Sequence, residues 1–452
     1  MVSFENTIQI AKQVFQSWSD YSTLREVTVI RDVFGHLAFL LSTNTPAEPN
    51  IAGIKSALQS SLGPYFSGRI MWCEGKHNNL ETYTIQEIDR LRQFDAAING
   101  CNWYHVERVI AKKAWLDRNE SVDPIWSYTD ACTGTKPKVV TFYSFKGGMG
   151  RTTALAATAL ILAQQGKCVL AIDTDVEAPG LSTIFFDDHV IQKGTVDFLV
   201  ENQADQAYTP NMQEYLLSVN DPALTANMDG QIYIIPAGKM ENLYLSKLAR
   251  IDYQDTVPDG MRNSLIKLIQ SATDFIASSG TLVDYILLDA RAGFHDMGGV
   301  ITAQIPHGIV LLGRNNAQSW NGLKEVISLA ATSQTDILPI ALVDSICSSS
   351  SGNTQQKELF KSQAYSLCCD LYYSESEPSV EAEGEAHTPI YISYQPHLND
   401  GVCLYSDGST LQNESLDTAK NILCGTDYQA IVERIYTWFG DSPKEGDEQH
   451  DS

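Results

Sequence analysis

The stretch VVTFYSFKGGMGRTTALAATALILAQQG, Val139–Gly166, constrains the fold more than any other. It opens with an apolar run, passes through three glycines within four residues, and continues as an alanine- and leucine-rich run that ends at Gly166. A strand that turns tightly into a helix aims its loop N–H groups, and the positive end of the helix, at one point in space. Glycines allow the backbone to close around that point. The sequence therefore predicts an anion-binding loop between a buried strand and a helix. Measured against G-x-x-x-x-G-K-[ST], the loop departs at two places. Phe145 stands at the first glycine and Arg151 at the lysine.

Around this loop the pattern is one of short apolar runs alternating with helical spans. CVLAID, QIYIIPAG, VDYILLD, HGIVLLG and ILPIALVD read as strands, and Met261–Ile276 and Ser319–Ala331 as helices. That alternation implies a mostly parallel sheet covered on both faces, an α/β class. Residues 1–120 read differently, as a smaller α+β unit. EVTVIRDVFGHLAFLL has the look of a hairpin and Asn50–Gly63 of a helix, while GRIMWC reads as a strand. TYTIQEIDRLRQFDAAING and WYHVERVIAKKAWLD both read as amphipathic helices. The domains expected are thus 1–120, a linker at 121–137 rich in turn formers, an α/β domain at 138–440 that carries the loop, and a disordered acidic tail at 441–452.

The chain carries 31 basic and 55 acidic side chains, a net of −24. Up to residue 135 the counts are 12 and 15, a net of −3; beyond it they are 19 and 40, a net of −21. Such a surface disfavours nonspecific binding to nucleic acid or anionic lipid. The apolar run ALAATALILA is too short to cross a bilayer, the N-terminus has no signal pattern, and the final helix, DYQAIVERIYTWFG, has one basic residue, Arg434. A cytoplasmic protein is expected. Nine cysteines without C-x-x-C spacing point to reduced, mostly buried thiols.

KGGMGRTT resembles the deviant Walker A motif, K-G-G-x-G-[KR]-[ST], of the MinD/ParA-like P-loop ATPases. The resemblance continues through VLAIDTDVEAPGLS, IYIIPAG, VDYILLDARAGFHDMGG and NNAQSWNGL, the last two matching a subset with D-x-R-x-G and N-x-Q-S-x-x-G. It covers Val139 to about His397; residues 1–120 resemble no family that can be named. It implies an ATPase that binds ATP with Mg²⁺ and dimerises on ATP. Gly147, Gly148, Met149 and Gly150 would form the anion nest, Arg151 would supply charge to the β- and γ-phosphates, and Thr153 would touch the α-phosphate. Thr152, Asp173 and Asp289 would hold Mg²⁺ or its waters. Asp175 would orient the attacking water, and Lys146 would reach the nucleotide of a partner subunit. Arg291 could sense the γ-phosphate or form a structural ion pair, and Glu177 could cap a turn or touch a partner's nucleotide. Pro396 is a candidate at the base, where the family's asparagine is replaced by Asp344. The subset often accompanies effector modules in bacterial conflict systems, which suggests a regulatory role in defence. An unidentified protein partner would bind through residues 1–120. A non-hydrolysing adaptor and a DNA-partitioning or membrane-positioning ATPase are the competing readings.

Overall fold

The computed structural model describes residues 2–442 except 45–48, 110, 117–121, 226–229, 242, 252–259, 333, 335, 348–352, 375, 400 and 406–409. Most of the acidic tail, from residue 443 on, thus lies outside the described residues. The chain divides into two compact units, Met1–Ile110 and Ala111–Ser452.

The small unit is a five-stranded sheet in the order β3-β2-β1-β5-β4. The strands are β1 (Leu24–Arg31), β2 (Leu37–Thr43), β3 (Phe66–Trp72), β4 (Gln93–Ile98) and β5 (Cys101–Glu107). Helices Thr7–Gln16 and Ile51–Leu62 bury Ala11, Phe15, Ile54 and Leu58 with Phe39 and Trp103 of the sheet. Ile88 of helix Asn79–Leu91 packs against Ile30, Leu40 and Val106 in a separate cluster.

Two elements differ from the sequence reading. The helix expected through TYTIQEIDRLRQFDAAING stops at Leu91 and gives way to β4; WYHVE lies in strand β5, and among the described residues of that second stretch only Lys113–Leu116 is helical. The reason lies at Asn99 and Gly100, both with positive φ (49° and 84°). They form the two-residue turn that joins β4 to β5, with Ile98 opposite Cys101. Asn-Gly is favoured there because both turn residues need left-handed backbone. From the strand, Cys101 and Trp103 face one cluster and Val106 the other, so the apolar spacing that looked helical is satisfied on the two faces of a pleated strand.

The large unit is built on an eight-stranded sheet in the order β13-β12-β11-β6-β10-β7-β9-β8. Its strands are β6 (Lys138–Ser144), β7 (Cys168–Asp173), β8 (Leu217–Ser218), β9 (Gln231–Ile235), β10 (Tyr285–Asp289), β11 (Gly308–Gly313), β12 (Ile340–Cys347) and β13 (Ile390–Ser393). All neighbours run parallel except β8 and β9. Every residue of β6, β7, β10 and β11 is buried, as strands covered on both faces require. Alternate residues feed two cores: Val139, Tyr143, Ile286 and Leu288 face one, and Val140, Phe142, Tyr285 and Leu287 the other. Helix Arg151–Gln164 is buried from Ala154 to Ala163, so its run of small and apolar residues fills the second core. The last helix, Thr426–Phe439, packs there as well, through Ile431, Val432 and Ile435.

The segment read as a linker folds against the large unit. Ile125 N–H reaches Ile305 O (3.2 Å), Trp126 Nε1 donates to Pro137 O (2.7 Å), and Tyr128 Oη donates to Trp438 O (2.6 Å). Asp441 is ion-paired to buried Lys138 at 3.0 Å and accepts from Tyr285 Oη, so the chain is pinned as it leaves the last helix. All nine cysteines are free and none is exposed. No helix among the described residues is long and apolar enough to cross a membrane.

Candidate functional site

The strand order places β6 at the point where the chain turns from one half of the sheet to the other. β7 and β9 lie on one side with β10 inserted, and β11 to β13 lie on the other. Ligands bind at the carboxyl ends of strands at such a switch point. The glycine-rich loop leaves β6 there. Gly148 (φ 74°) and Gly150 (φ 69°) sit in the left-handed region, and Gly150 caps helix Arg151–Gln164. These two positions require glycine, and they turn successive N–H groups toward one side of the loop. Met149 is buried and anchors the loop in the core, while Lys146, Gly147 and Gly148 are exposed. Phe145, the residue in place of the first glycine, has a packing role. Its ring lies against Gly322, where an added Cβ would come within 1.9 Å of Phe145 Cγ, and its centroid is 5.0 Å from that of Phe294.

Asp173 and Asp289 end adjacent strands and stand opposite each other in register. Asp289 is fully buried, and both its oxygens are engaged. Arg151 Nε donates to Oδ1 (2.5 Å) and Thr152 Oγ1 to Oδ2 (2.7 Å). The same guanidinium donates from Nη2 to Asp175 Oδ2 (2.8 Å). Arg151 is therefore folded onto two carboxylates, with only 8% of its side chain exposed. Burial would lower its pKa, but Asp289 and Asp175 outweigh that and hold it above its ordinary value. Burial raises the Asp289 carboxyl, opposed by Arg151 and Thr152.

Asp173 does other work. Oδ1 accepts from Asp175 N–H (3.0 Å), and Oδ2 accepts from Gly180 N–H (3.1 Å) and Leu181 N–H (3.0 Å). It braces the loop that carries Asp175 and starts the following helical turn. Burial, with Asp289 nearby, pushes its carboxyl up to about 7. No cluster of three or more His, Cys, Asp or Glu side chains among the described residues is arranged to hold a metal ion. The hard oxygens of Thr152 and Asp289, 2.7 Å apart at the loop, nevertheless fit Mg²⁺, which usually takes one or two protein oxygens and fills its shell with phosphate and water.

Arg291 pairs with Glu177 and lies 4.0 Å from Asp175, so the two residues left open by sequence meet each other. On the far side of the loop is a cavity of about 300 Å³. Gly148, Met149, Gly150 and Thr153 form one wall, and Ser345, Ile346, Tyr394, Gln395 and Asn399 stand across from them. Pro396 opens the short turn Pro396–Leu398 but does not line the cavity, and Asp344 is buried, with its pKa raised by burial. Sequence reasoning missed Ser345 and Ile346. Ile346 has φ 58°, a strained conformation for a β-branched residue, where the β12–β13 register slips between Asp344 and Cys347. Nothing local in SIC announces that slip.

With this geometry in view, a family model described as an AAA domain matches residues 137–287. An ATP-binding protein of Methanocaldococcus jannaschii is 29% identical over 157 residues, 35% of this chain and 46% of the relative. The chain thus spans less than half the length of that curated relative. Among solved structures, the cell division ATPase MinD of Pyrococcus furiosus is similar over 65% of this chain and 99% of its own, at 15% identity and a TM-score of 0.38. pNOB8 ParA bound to nonspecific DNA is similar over 67% and 99%, at 17% identity and a TM-score of 0.42. The matched stretch spans β6, the glycine-rich loop and β7, where the motifs resemble those of the MinD/ParA-like P-loop ATPases.

Proposed function

We propose that the large unit binds ATP with Mg²⁺ at the loop after β6 and acts as an ATP-dependent dimeric switch. The observation that carries this is the meeting of the Gly148–Gly150 nest with the Thr152–Asp289 oxygen pair at one helix N-terminus. The nest and the helix end favour a polyphosphate. Thr152 and Asp289 would hold Mg²⁺, whose charge would offset that of the phosphates. Gly147, Gly148 and Gly150 would bind phosphate through N–H groups, and Thr153 lies toward the cavity across the loop, which suits a base and ribose. Incoming phosphates compete with Asp175 and Asp289 for the Arg151 guanidinium. Nucleotide binding and release of that guanidinium are then one event.

Lys146 is exposed at the start of the loop and suits a role across a dimer interface. Charge delivered in this way can be worth about 10³- to 10⁵-fold in phosphoryl transfer. Residues 1–120 are assigned to recognition of a protein partner, and the −21 charge beyond residue 135 argues against direct duplex DNA binding. A second reading, a non-hydrolysing adaptor with ATP as structural ligand, draws support from one contact. Asp175, the residue for orienting water, is committed to Arg151.

Light scattering with and without ATP and Mg²⁺ tests the proposal. Thr152→Ala should weaken binding of a fluorescent ATP analogue at least tenfold. Lys146→Ala should keep the nucleotide but lose both the ATP-induced dimer and turnover. A wild-type monomer at saturating ATP would refute the switch. A dimer that forms without turnover would favour the adaptor, and a salt-sensitive shift of duplex DNA would overturn the charge argument.

A further inference from the structure

The segment that opens the large unit is fastened to the chain that follows Asp289. Lys112, in the left-handed region at φ 65°, donates from its backbone N–H to Asp296 Oδ1 and from Nζ to Asp296 Oδ2 (2.7 Å). Trp115 is 8% exposed and donates from Nε1 to His295 O (2.7 Å). Its ring packs edge-on against Phe294 (5.0 Å, 70°) and lies 5.6 Å from Tyr143 of β6. Phe294 in turn packs on Phe145 at 5.0 Å, directly before Lys146. The fit leaves no slack, since a Cβ on Gly299 would lie 2.9 Å from Trp115 Nε1 and 3.0 Å from Ala114 Cβ. Gly299 of DMGG thus admits the indole.

We infer that Trp115 and Lys112 are positioning residues for the arm from Asp289 to Asp296, and that they couple nucleotide occupancy of the loop to the chain following residues 1–110. The arm bears Asp289 at one end and Arg291 beside Asp175 and Glu177. Gly293, at φ 83°, is the pivot between Arg291 and the clamped residues Phe294–Asp296. With the far end held, displacement of Arg291 or Asp289 has two outlets, rotation at Gly293 or movement of the clamp. The clamp and the arm also wall one cavity of about 260 Å³, bounded by Lys112, Glu177, Arg291 and His295, which gives the arm room to shift. On the other side the Trp115–Phe294–Phe145 stack reaches the first residues of the loop. Coupling of this kind is reciprocal, so whatever holds residues 111–116 also biases nucleotide affinity.

The coupling rests on the nucleotide-binding reading above, and the experiment separates the two. Amide hydrogen exchange is measured on the full chain with and without a saturating ATP analogue and Mg²⁺, saturation being set by independent titration. In the wild type, exchange in residues 111–116 should change at least threefold on binding. Trp115→Phe keeps an aromatic ring but loses the bond to His295 O; Lys112→Ala loses the Nζ bond to Asp296 Oδ2 and keeps the backbone N–H bond to Oδ1. Trp115→Phe should abolish that response and Lys112→Ala should reduce it; by reciprocity Trp115→Phe should also shift the analogue's Kd by about threefold, and both should raise exchange of residues 290–299 without nucleotide. An unchanged rate in 111–116 on binding, or a full response in both variants, overturns the coupling. If the wild type binds no analogue, the nucleotide reading falls by itself. Exchange of residues 290–299 in the two variants then decides the clamp, and wild-type rates in both would overturn it.

Discussion

Arg151→Ala should be costly to fold even before any nucleotide is present. The guanidinium is the donor to Asp289 Oδ1 and to Asp175 Oδ2, and the exposed fractions of the three side chains are 8%, 1% and 9%. Without it, Asp289 keeps Thr152 as partner. Asp175 keeps the Ala178 N–H at 3.3 Å and Arg291 at 4.0 Å. Asp289 is therefore the group left with an uncompensated buried charge. Removing one partner of a buried pair costs about 3–5 kcal/mol, because the desolvation remains after the attraction has gone. Arg151→Lys should recover less than half of this, since an ammonium cannot span both carboxylates as the planar fork does. The assay is urea unfolding of the full chain, followed on the transition that an ATP analogue shifts to higher urea. Asp289→Asn and the double variant complete a cycle, with an expected coupling of about 2 kcal/mol or more. A loss under about 1 kcal/mol for Arg151→Ala, or a coupling near zero, would refute the claim that the pair is a structural element of the nucleotide-free state.

Gly322→Ala should force Phe145 from its seat, given the 1.9 Å approach, with an overpacking cost of about 1–3 kcal/mol and at least a tenfold loss of analogue affinity. Calorimetry and titration check both, and adding Phe145→Leu should restore part of each; wild-type values for Gly322→Ala would sink the packing account. His307 is fully buried, accepting at Nδ1 from Val139 N–H (3.0 Å) and bonded from Nε2 to Trp126 O (3.0 Å). Burial pushes its pKa down to about 4, so the unfolded chain binds the extra proton as pH falls below about 6.5. Stability from this group is whole above about pH 6.5 and is lost toward pH 4, by up to about 3 kcal/mol. The difference in unfolding free energy between wild type and His307→Asn should shrink across that window; a constant difference would contradict the assignment.

The large sheet was legible because parallel strands buried on both faces must read as short apolar runs, and VVTFYS, CVLAID, YILLD and GIVLLG do. The ends of three such strands then located the loop, Asp173 and Asp289 without reference to contacts. The small unit was read less well. The Asn99-Gly100 turn outranked the helical spacing around it, and a two-residue signal is easily lost between two amphipathic patterns. Trp115 fell inside one of those misread helices, so nothing in its neighbourhood suggested a partner 180 residues away. Phe145 and Gly322 read as a departure from one motif and as the glycine of another. Only the fold shows that the ring needs the missing Cβ.

The two unusual loop residues answer different demands. Phe145 is explained by packing alone: Gly322 and Phe294 receive it, and the nest is formed by Gly148 and Gly150 without a glycine at that position. Arg151 is explained by charge. Three carboxylates, Asp173, Asp175 and Asp289, lie at 0%, 6% and 0% exposure, and the last two bond one buried guanidinium. Asp173 is offset by three backbone N–H groups and by its raised pKa. Asp175 and Asp289 share Arg151, which leaves the pair one positive charge short, with Arg291 at 4.0 Å a partial remedy already drawn toward Glu177. Phosphate alone would deepen that deficit by taking the guanidinium away. Phosphate arriving with a divalent cation would close it, because the cation can stand at Asp289 while Arg151 turns to the phosphates. On the proposed reading the arginine would make nucleotide and metal binding interdependent, where a lysine, with one point charge, would bridge the two carboxylates less completely.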